Sequence, residues 1–265
     1  MTEYGGKWIG ELALRAPAQL RALRRTPVLG GLLHRISQSL LPARQSLLVK
    51  VQEGAAQGIW LELNPRTGQD YLKGRVEPEV QRALAGRLKG GCVFYDLGAN
   101  IGFFSLLAAR LVGSRGRVYS FEPDAITAQR LRRNVAQNGA ANVSVVEMGV
   151  WSSTKLLHFM EAAHSSPDRG TGFVNPSGAA GAAAIPCASL DDFCKGAPVP
   201  NAIKCDVEGA EMEVLRGAQR ILAEARPWVI CELHSPDNDR EVRAFLRDVG
   251  YKLETLNSNH VLALP

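Results

Sequence analysis

The residues best suited to chemistry lie in two clusters, and the first is the run Tyr95-Asp96-Leu97-Gly98-Ala99-Asn100-Ile101-Gly102. An apolar stretch ends in an acid, turns through glycines and enters the apolar run 103–111, the pattern of strand, tight loop and helix. Glycine lets a backbone approach a ligand closely, and the first turn of a helix offers unpaired N–H groups. A second apolar stretch ends in Glu122, twenty residues beyond Gly102, the spacing at which an acid can bind ribose hydroxyls. These features predict a nucleoside site of Rossmann type.

The order of residues narrows the nucleoside. A dinucleotide loop, G-x-G-x-x-G, packs a pyrophosphate against the helix, whereas this loop reads D-x-G-x-N-x-G. An acid before the first glycine repels an anion and suits a cation. S-adenosylmethionine carries a sulfonium and an amino group, and its amino acid end can be held through Asp96, Gly98 and Asn100.

The second cluster is Ile203-Lys204-Cys205-Asp206-Val207-Glu208-Gly209-Ala210-Glu211, three acids just past a strand-like run. In open α/β sheets ligands sit beyond the carboxyl ends of strands, so Asp206 is expected to face the nucleoside site. Glu208 and Glu211, three apart, are expected on one helix face, where they would also complement the helix dipole. The next apolar run ends Cys231-Glu232-Leu233-His234, which puts Glu232 and His234 on one face of a strand. His234 can act as a general base, with Asp206 or Glu208 assisting or orienting it. A less favoured arrangement has Asp206, Glu232 and His234 binding Mg²⁺ to acidify a hydroxyl.

Strands are expected at 47–51, 59–63, 93–97, 117–121, 143–147, 202–206 and 228–233, with closing strands at 251–256 and 261–264. Helices are expected at 77–88, 103–111, 124–137, 212–222 and 240–249, the third closed by Asn138-Gly139. This alternation predicts a parallel sheet with helices on both faces. Residues 162–186, rich in Ala, Gly, Ser and Pro, read as a loop or lid.

At 265 residues, 46% hydrophobic and 22% charged, the chain can bury a sizeable core. Five cysteines with no C-x-x-C spacing argue against a cysteine metal site and for a reducing compartment. The formal charge is +5, but residues 1–50 hold eight Lys or Arg against two Glu, and the remainder holds 23 basic against 24 acidic residues. The basic footprint of nucleic-acid binding is therefore absent in net terms from the catalytic region. Residues 1–46 read as a basic helical extension, packed on its own domain or touching an anionic membrane surface. No uncharged apolar run of 18 residues exists, and the first ten residues lack the pattern of a cleaved signal peptide. The expected location is cytoplasmic, with peripheral contact to the inner face of a membrane as an option for the extension.

With both clusters in view, residues 47–265 resemble the FkbM-type family of S-adenosylmethionine-dependent methyltransferases. The resemblance rests on 96–102, on Phe121-Glu122-Pro123, on 204–211 and on Glu232-Leu233-His234, with Gly74-Arg75-Val76-Glu77 and Ser189-Leu190-Asp191 in support. Val76 stands where the family often has an aromatic, and the usual Thr before Leu-Asp is absent. The resemblance implies a doubly wound, mostly parallel seven-stranded Rossmann-like sheet with a carboxyl-terminal antiparallel hairpin. It also implies O-methylation of a sugar, polyketide or other small metabolite. By it, Asp96 to Gly102, including Gly98, Asn100 and Gly102, would hold the methionine part and Glu122 the ribose. Glu147 and Met148 would flank adenine, and Asp206 would face the reacting centre. The rival readings are an RNA methyltransferase that uses the basic arm, and a non-catalytic binding module of the same fold.

Overall fold

The computed structural model describes residues 46–64, 67–161, 172–175 and 183–265. The basic extension expected at 1–46 lies outside these residues except for its last position.

Five parallel strands form the centre of the molecule: β3 (Val93–Leu97), β4 (Arg117–Phe121), β5 (Val143–Val146), β10 (Ala202–Cys205) and β11 (Trp228–Glu232). A closing hairpin, β12 (Lys252–Thr255) and β13 (His260–Leu264), adds to β11 with β13 antiparallel to it. The seven-stranded order is β12-β13-β11-β10-β3-β4-β5. The chain runs outward from β3 through β4 to β5, then returns to place β10 on the other side of β3. The loops after β3 and β10 thus diverge from adjacent strand ends, the switch point at which open α/β sheets bind ligands.

Alternation along the strands splits the core into two layers. Phe94, Val118, Ala202, Ile230 and Leu262 face one layer, and Tyr95, Phe121, Ile203, Val229 and Val261 face the other. The first layer is completed by α2 (Pro78–Arg87), α3 (Phe103–Val112) and the antiparallel pair β1 (Leu47–Lys50) and β2 (Trp60–Leu63). Helix α3 is buried along almost its whole length, as its apolar run requires. Each leucine sealed there stabilises the fold by about 1.5–3 kcal/mol. Helix α4 (Ala125–Gln137) starts at Asp124, whose carboxylate accepts from the Thr127 N–H.

The elements differ from expectation in several places. Residues 162–186 are not simply a loop: β8 (Gly172–Asn175) and much of β9 (Ala183–Ala188) fall within them. With β6 (Gly149–Val150) and β7 (Lys155–Glu161) they make a second, four-stranded sheet ordered β6-β9-β7-β8. Alanine is a weak strand former, so the local signal is lost while cross-strand pairing decides.

The helix expected at 212–222 is two helices, α6 (Glu211–Arg216) and α7 (Gln219–Glu224). Asp191 divides them: its N–H donates to the Gly217 carbonyl and its carboxylate accepts from the N–H groups of Arg220 and Ile221 at the start of α7. Asp191 lies in α5 (Leu190–Phe193), which follows the Ser189 cap. The helix expected at 240–249 is α8 (Pro236–Asp248), a turn longer at its start, capped by Ser235 with proline in the first turn. Its polar first turn carries no apolar period and so gave no signal. The short helix α1 (Gln69–Leu72) was also unpredicted. Among the described residues no helix is long and apolar enough to cross a membrane.

Candidate active site

The loop after β3 and the loop after β10 touch through their backbones. The Asp206 N–H donates to the Leu97 carbonyl at 3.1 Å. Gly98 has φ +77°, and a Cβ there would lie 1.8 Å from the Asp206 carbonyl oxygen. Gly102, with φ +89°, would drive a Cβ to 2.3 Å from Leu131 of α4. Gly98 is therefore required where the two backbones cross, and Gly102 by its left-handed backbone against the buried Leu131 side chain. Asn100 also adopts the left-handed region, at φ +49°, which Asn tolerates better than most residues.

On this side the acids are sealed. Asp96 is 1% exposed; its Oδ2 accepts from Ser105 Oγ of α3 at 2.5 Å, and Ser105 accepts in turn from Ser120 Oγ at 2.7 Å. Asp96, Ser120 and Lys204 sit in register on neighbouring strands, a polar row above an otherwise apolar layer. Glu122, 4% exposed, accepts from the N–H of Asn100 at 2.9 Å and of Asp124 at 3.0 Å. Burial raises the Asp96 carboxyl against the pull of Lys204. It lifts Glu122 to about 8, although the two backbone donors oppose the rise. Asp96 Oδ1 and Asn100 Oδ1 are buried acceptors without a donor. Glu122 binds the Val146 carbonyl through its own N–H, which brings the end of β5 alongside. There Met148 is half-buried, and Glu147 is exposed and ion-paired with Arg132 at 2.7 Å.

Lys204 joins the two clusters and was overlooked as a site residue. Its side chain is 2% exposed, with Nζ 2.8 Å from Asp206 Oδ2 and 4.8 Å from the centre of the Phe104 ring. Burial alone would push the ammonium down, but Asp206, Glu77 and Asp96 carry it well above the usual lysine range. Burial likewise works to raise Asp206, and Lys204 outweighs it, holding that carboxyl below its ordinary value. The sequence signal was present: a lysine between Ile203 and Cys205 in an apolar strand must be paired if buried.

The second cluster converges on His234. Its Nδ1 lies 3.0 Å from Glu211 Oε1, while its Nε2 lies 3.5 Å from Glu208 Oε2 and 3.6 Å from Asp206 Oδ1. Glu211 is fully buried, and the same oxygen accepts from the N–H groups of Val207 and Gly209. Glu211 is thus the carboxylate nearest the His234 ring, with Glu208 and Asp206 about half an ångström farther off on its other nitrogen. Glu208 is not on the helix: at φ +55° it lies in the turn before α6, so it shares no helix face with Glu211. Hydrogen bonding to Glu211, reinforced by Asp206 and Glu232, raises His234 to about 9. Burial raises Glu208, helped by Asp206 and offset by His234. Burial next to Asp206 and Glu77 brings Glu232 to about 7. Ligand atoms of Asp206, Glu232 and His234 do lie within 4.8 Å of one another.

An acid-glycine-asparagine loop at a switch point, facing a carboxylate–imidazole pair one strand away, is an arrangement that can be compared with known proteins. The family model described as Methyltransferase FkbM domain matches residues 96–253, from the loop acid to the hairpin. The chain belongs to the FkbM methyltransferase family. The hexuronic acid methyltransferase AglP of Haloferax volcanii is 29% identical over 187 residues, 70% of this chain and 74% of that protein. A probable cobalt-precorrin-6B C(15)-methyltransferase of Sulfolobus acidocaldarius is 36% identical over 61 residues, covering 23% of this chain and 32% of that protein. The crystal structure of an FkbM methyltransferase from Methylobacillus flagellatus KT shares the fold, with a TM-score of 0.51 and 22% identity over 68% of this chain. The match spans 44% of the Methylobacillus chain, so the FkbM domain here is shared with a considerably longer protein.

Proposed function

We propose that this FkbM-family methyltransferase uses S-adenosylmethionine to methylate a hydroxyl of a sugar or related small acceptor. The observation that carries the reading is the Glu211–His234 pair: Nδ1 is fixed by a buried carboxylate and Nε2 faces the crevice beside Asp206. A carboxylate that sets the tautomer of an imidazole and leaves its other nitrogen to take a proton is the general-base arrangement.

The residues of the donor side fit the cofactor. The unsatisfied acceptors Asp96 Oδ1 and Asn100 Oδ1 suit an ammonium donor, since a buried acceptor without a partner costs about 1–3 kcal/mol. In this reading Glu122 would hold the ribose hydroxyls, and Glu147 and Met148 would flank adenine. When bound, S-adenosylmethionine supplies a methyl group already activated by a sulfonium. The chain has then to orient the acceptor oxygen in line and receive its proton at His234 Nε2. Because His234 is protonated at neutral pH in the resting site, it acts as base after losing that proton, and the rate should climb toward pH 9. The Haloferax relative's name supports a sugar acceptor for this chain.

Calorimetry with S-adenosylmethionine and with NAD tests the donor reading. Wild type should bind the former alone, and Asp96→Ala should lose about tenfold or more in affinity, as expected when a hydrogen bond to a charged group is removed. Binding of NAD, or unchanged affinity in Asp96→Ala, would overturn it. Incubation with a panel of hexoses and hexuronates, read by mass increase of the acceptor, tests the rest.

A further inference from the structure

A second group of side chains lies one strand farther along the sheet, and the base reading makes no use of it. Glu77 precedes α2, Glu232 ends β11, and His260 opens β13 directly opposite Glu232 in the antiparallel register. His260 is 2% exposed, with Nε2 3.2 Å from Glu77 Oε2 and 3.6 Å from Glu232 Oε2. Neither contact has hydrogen-bond geometry, and His260 Nε2 and Glu77 Oε2 are both buried without a hydrogen-bond partner.

The other ring nitrogen fixes the tautomer. Asn257 Oδ1 accepts from the backbone N–H of His260 at 2.8 Å and of Asn259 at 3.0 Å, so it is the amide oxygen that faces His260 Nδ1 at 3.1 Å. Nδ1 must therefore be the protonated nitrogen in neutral His260, and the Nε2 lone pair points into a space bounded by two carboxylates. An imidazole whose outer N–H is held by a neighbouring oxygen while its inner nitrogen meets carboxylates is the arrangement of a metal-ligating histidine. The Lys204 ammonium donates to Asp206, and Glu77 Oε2 is left without a hydrogen-bond donor for a cation to satisfy.

We propose that Glu77, Glu232 and His260 bind a divalent cation of the first transition row, such as Mn²⁺, with Asn257 as the positioning residue. Two carboxylates and one imidazole are a mixed oxygen and nitrogen donor set that suits such an ion and leaves coordination positions for water or acceptor hydroxyls. Ligand atoms of the three residues lie within 4.8 Å of one another. The site meets the reacting centre through Glu232, which also belongs to the Asp206–His234 group. The Mg²⁺ arrangement considered from sequence would instead use Asp206, whose Oδ2 is already 2.8 Å from a buried ammonium.

The test is titration of chelator-stripped full chain with Mn²⁺, followed by electron paramagnetic resonance. Wild type should bind one equivalent and show nuclear coupling to a single imidazole nitrogen. Glu77→Gln and His260→Gln should each weaken binding at least tenfold, and Asn257→Ala by about tenfold, the range for partners that orient metal ligands. His234→Ala should bind as wild type does. Absence of binding in wild type, or loss in His234→Ala with retention in His260→Gln, overturns the site. The imidazole coupling is read on wild type and stands even if a variant fails to fold. S-adenosylmethionine calorimetry on the same preparations separates the two ideas: donor binding without Mn²⁺ binding removes the metal site alone, and the reverse removes the donor reading alone.

Discussion

The fold treats the carboxylates on the two sides of the switch point in opposite ways. Asp96 and Glu122 are sealed, the first accepting from the Ser105 hydroxyl with its Oδ1 left open and the second accepting from two backbone N–H groups, so their positions are set when β3 and β4 pair. Asp206, Glu208 and His234 are 21%, 40% and 22% exposed and are satisfied mainly by other ionisable groups from separate elements. On the proposed function, one side is a mould for a ligand of fixed shape, and the other is a titratable surface that can exchange protons with whatever enters. That division suits a transferase whose donor is constant and whose acceptor must be deprotonated.

If the division is real, His234→Ala should act on one side only. Turnover with a sugar acceptor should fall about 10²–10⁴-fold, the usual contribution of a general base, while the calorimetric affinity for S-adenosylmethionine stays unchanged. A parallel loss of donor affinity would break the comparison.

Lys204→Met should damage both sides at once, because it leaves the sealed Asp96 and the partly exposed Asp206 without their cation. A loss of about 3–5 kcal/mol in urea unfolding is expected, with partial recovery in the double variant Lys204→Met/Asp206→Asn.

The pH dependence sharpens the contrast. His234 is raised in the folded protein to about 9, above its ordinary 6.5, so its pairing with Glu211 adds stability that is fully present below pH 6.5 and fades as pH rises through 9. Glu211→Gln should move the alkaline inflection, seen in the imidazole proton shifts by NMR and in the rate profile, down from about 9 toward the ordinary histidine value. Its destabilisation should be evident at pH 6.5 and small at pH 9.5.

The smallest effect belongs to a residue outside both sides. Asp191→Ala removes the cap of α7 and should cost about 1 kcal/mol in thermal unfolding with little change in donor affinity.

The mould was legible in the sequence because it is local: strand, acid, turn and helix follow one another, and β3 and β4 have their expected bounds. The surface was legible only as an inventory. Asp206, Glu208, Glu211, Glu232 and His234 could all be named, but which carboxylate meets His234 depends on β11 lying beside β10 and on Glu208 entering a left-handed turn. Neither is a local property. Glu77 and His260 lie near opposite ends of the described chain, and only the closing hairpin brings them together. The second sheet was missed for a related reason, since the alanine-rich Ala183–Ala188 becomes a strand through its partners, not its composition.

The contact of Gly98 with the Asp206 carbonyl has a mechanical meaning. Donor loop and acceptor wall meet peptide against peptide, with no side chain between them to rotate or be replaced. On the proposed function, the distance the methyl group must travel is therefore gauged by covalent geometry and one pair of parallel strands. A substitution at the rim of the crevice leaves that spacing as it is, because the joint consists of backbone alone.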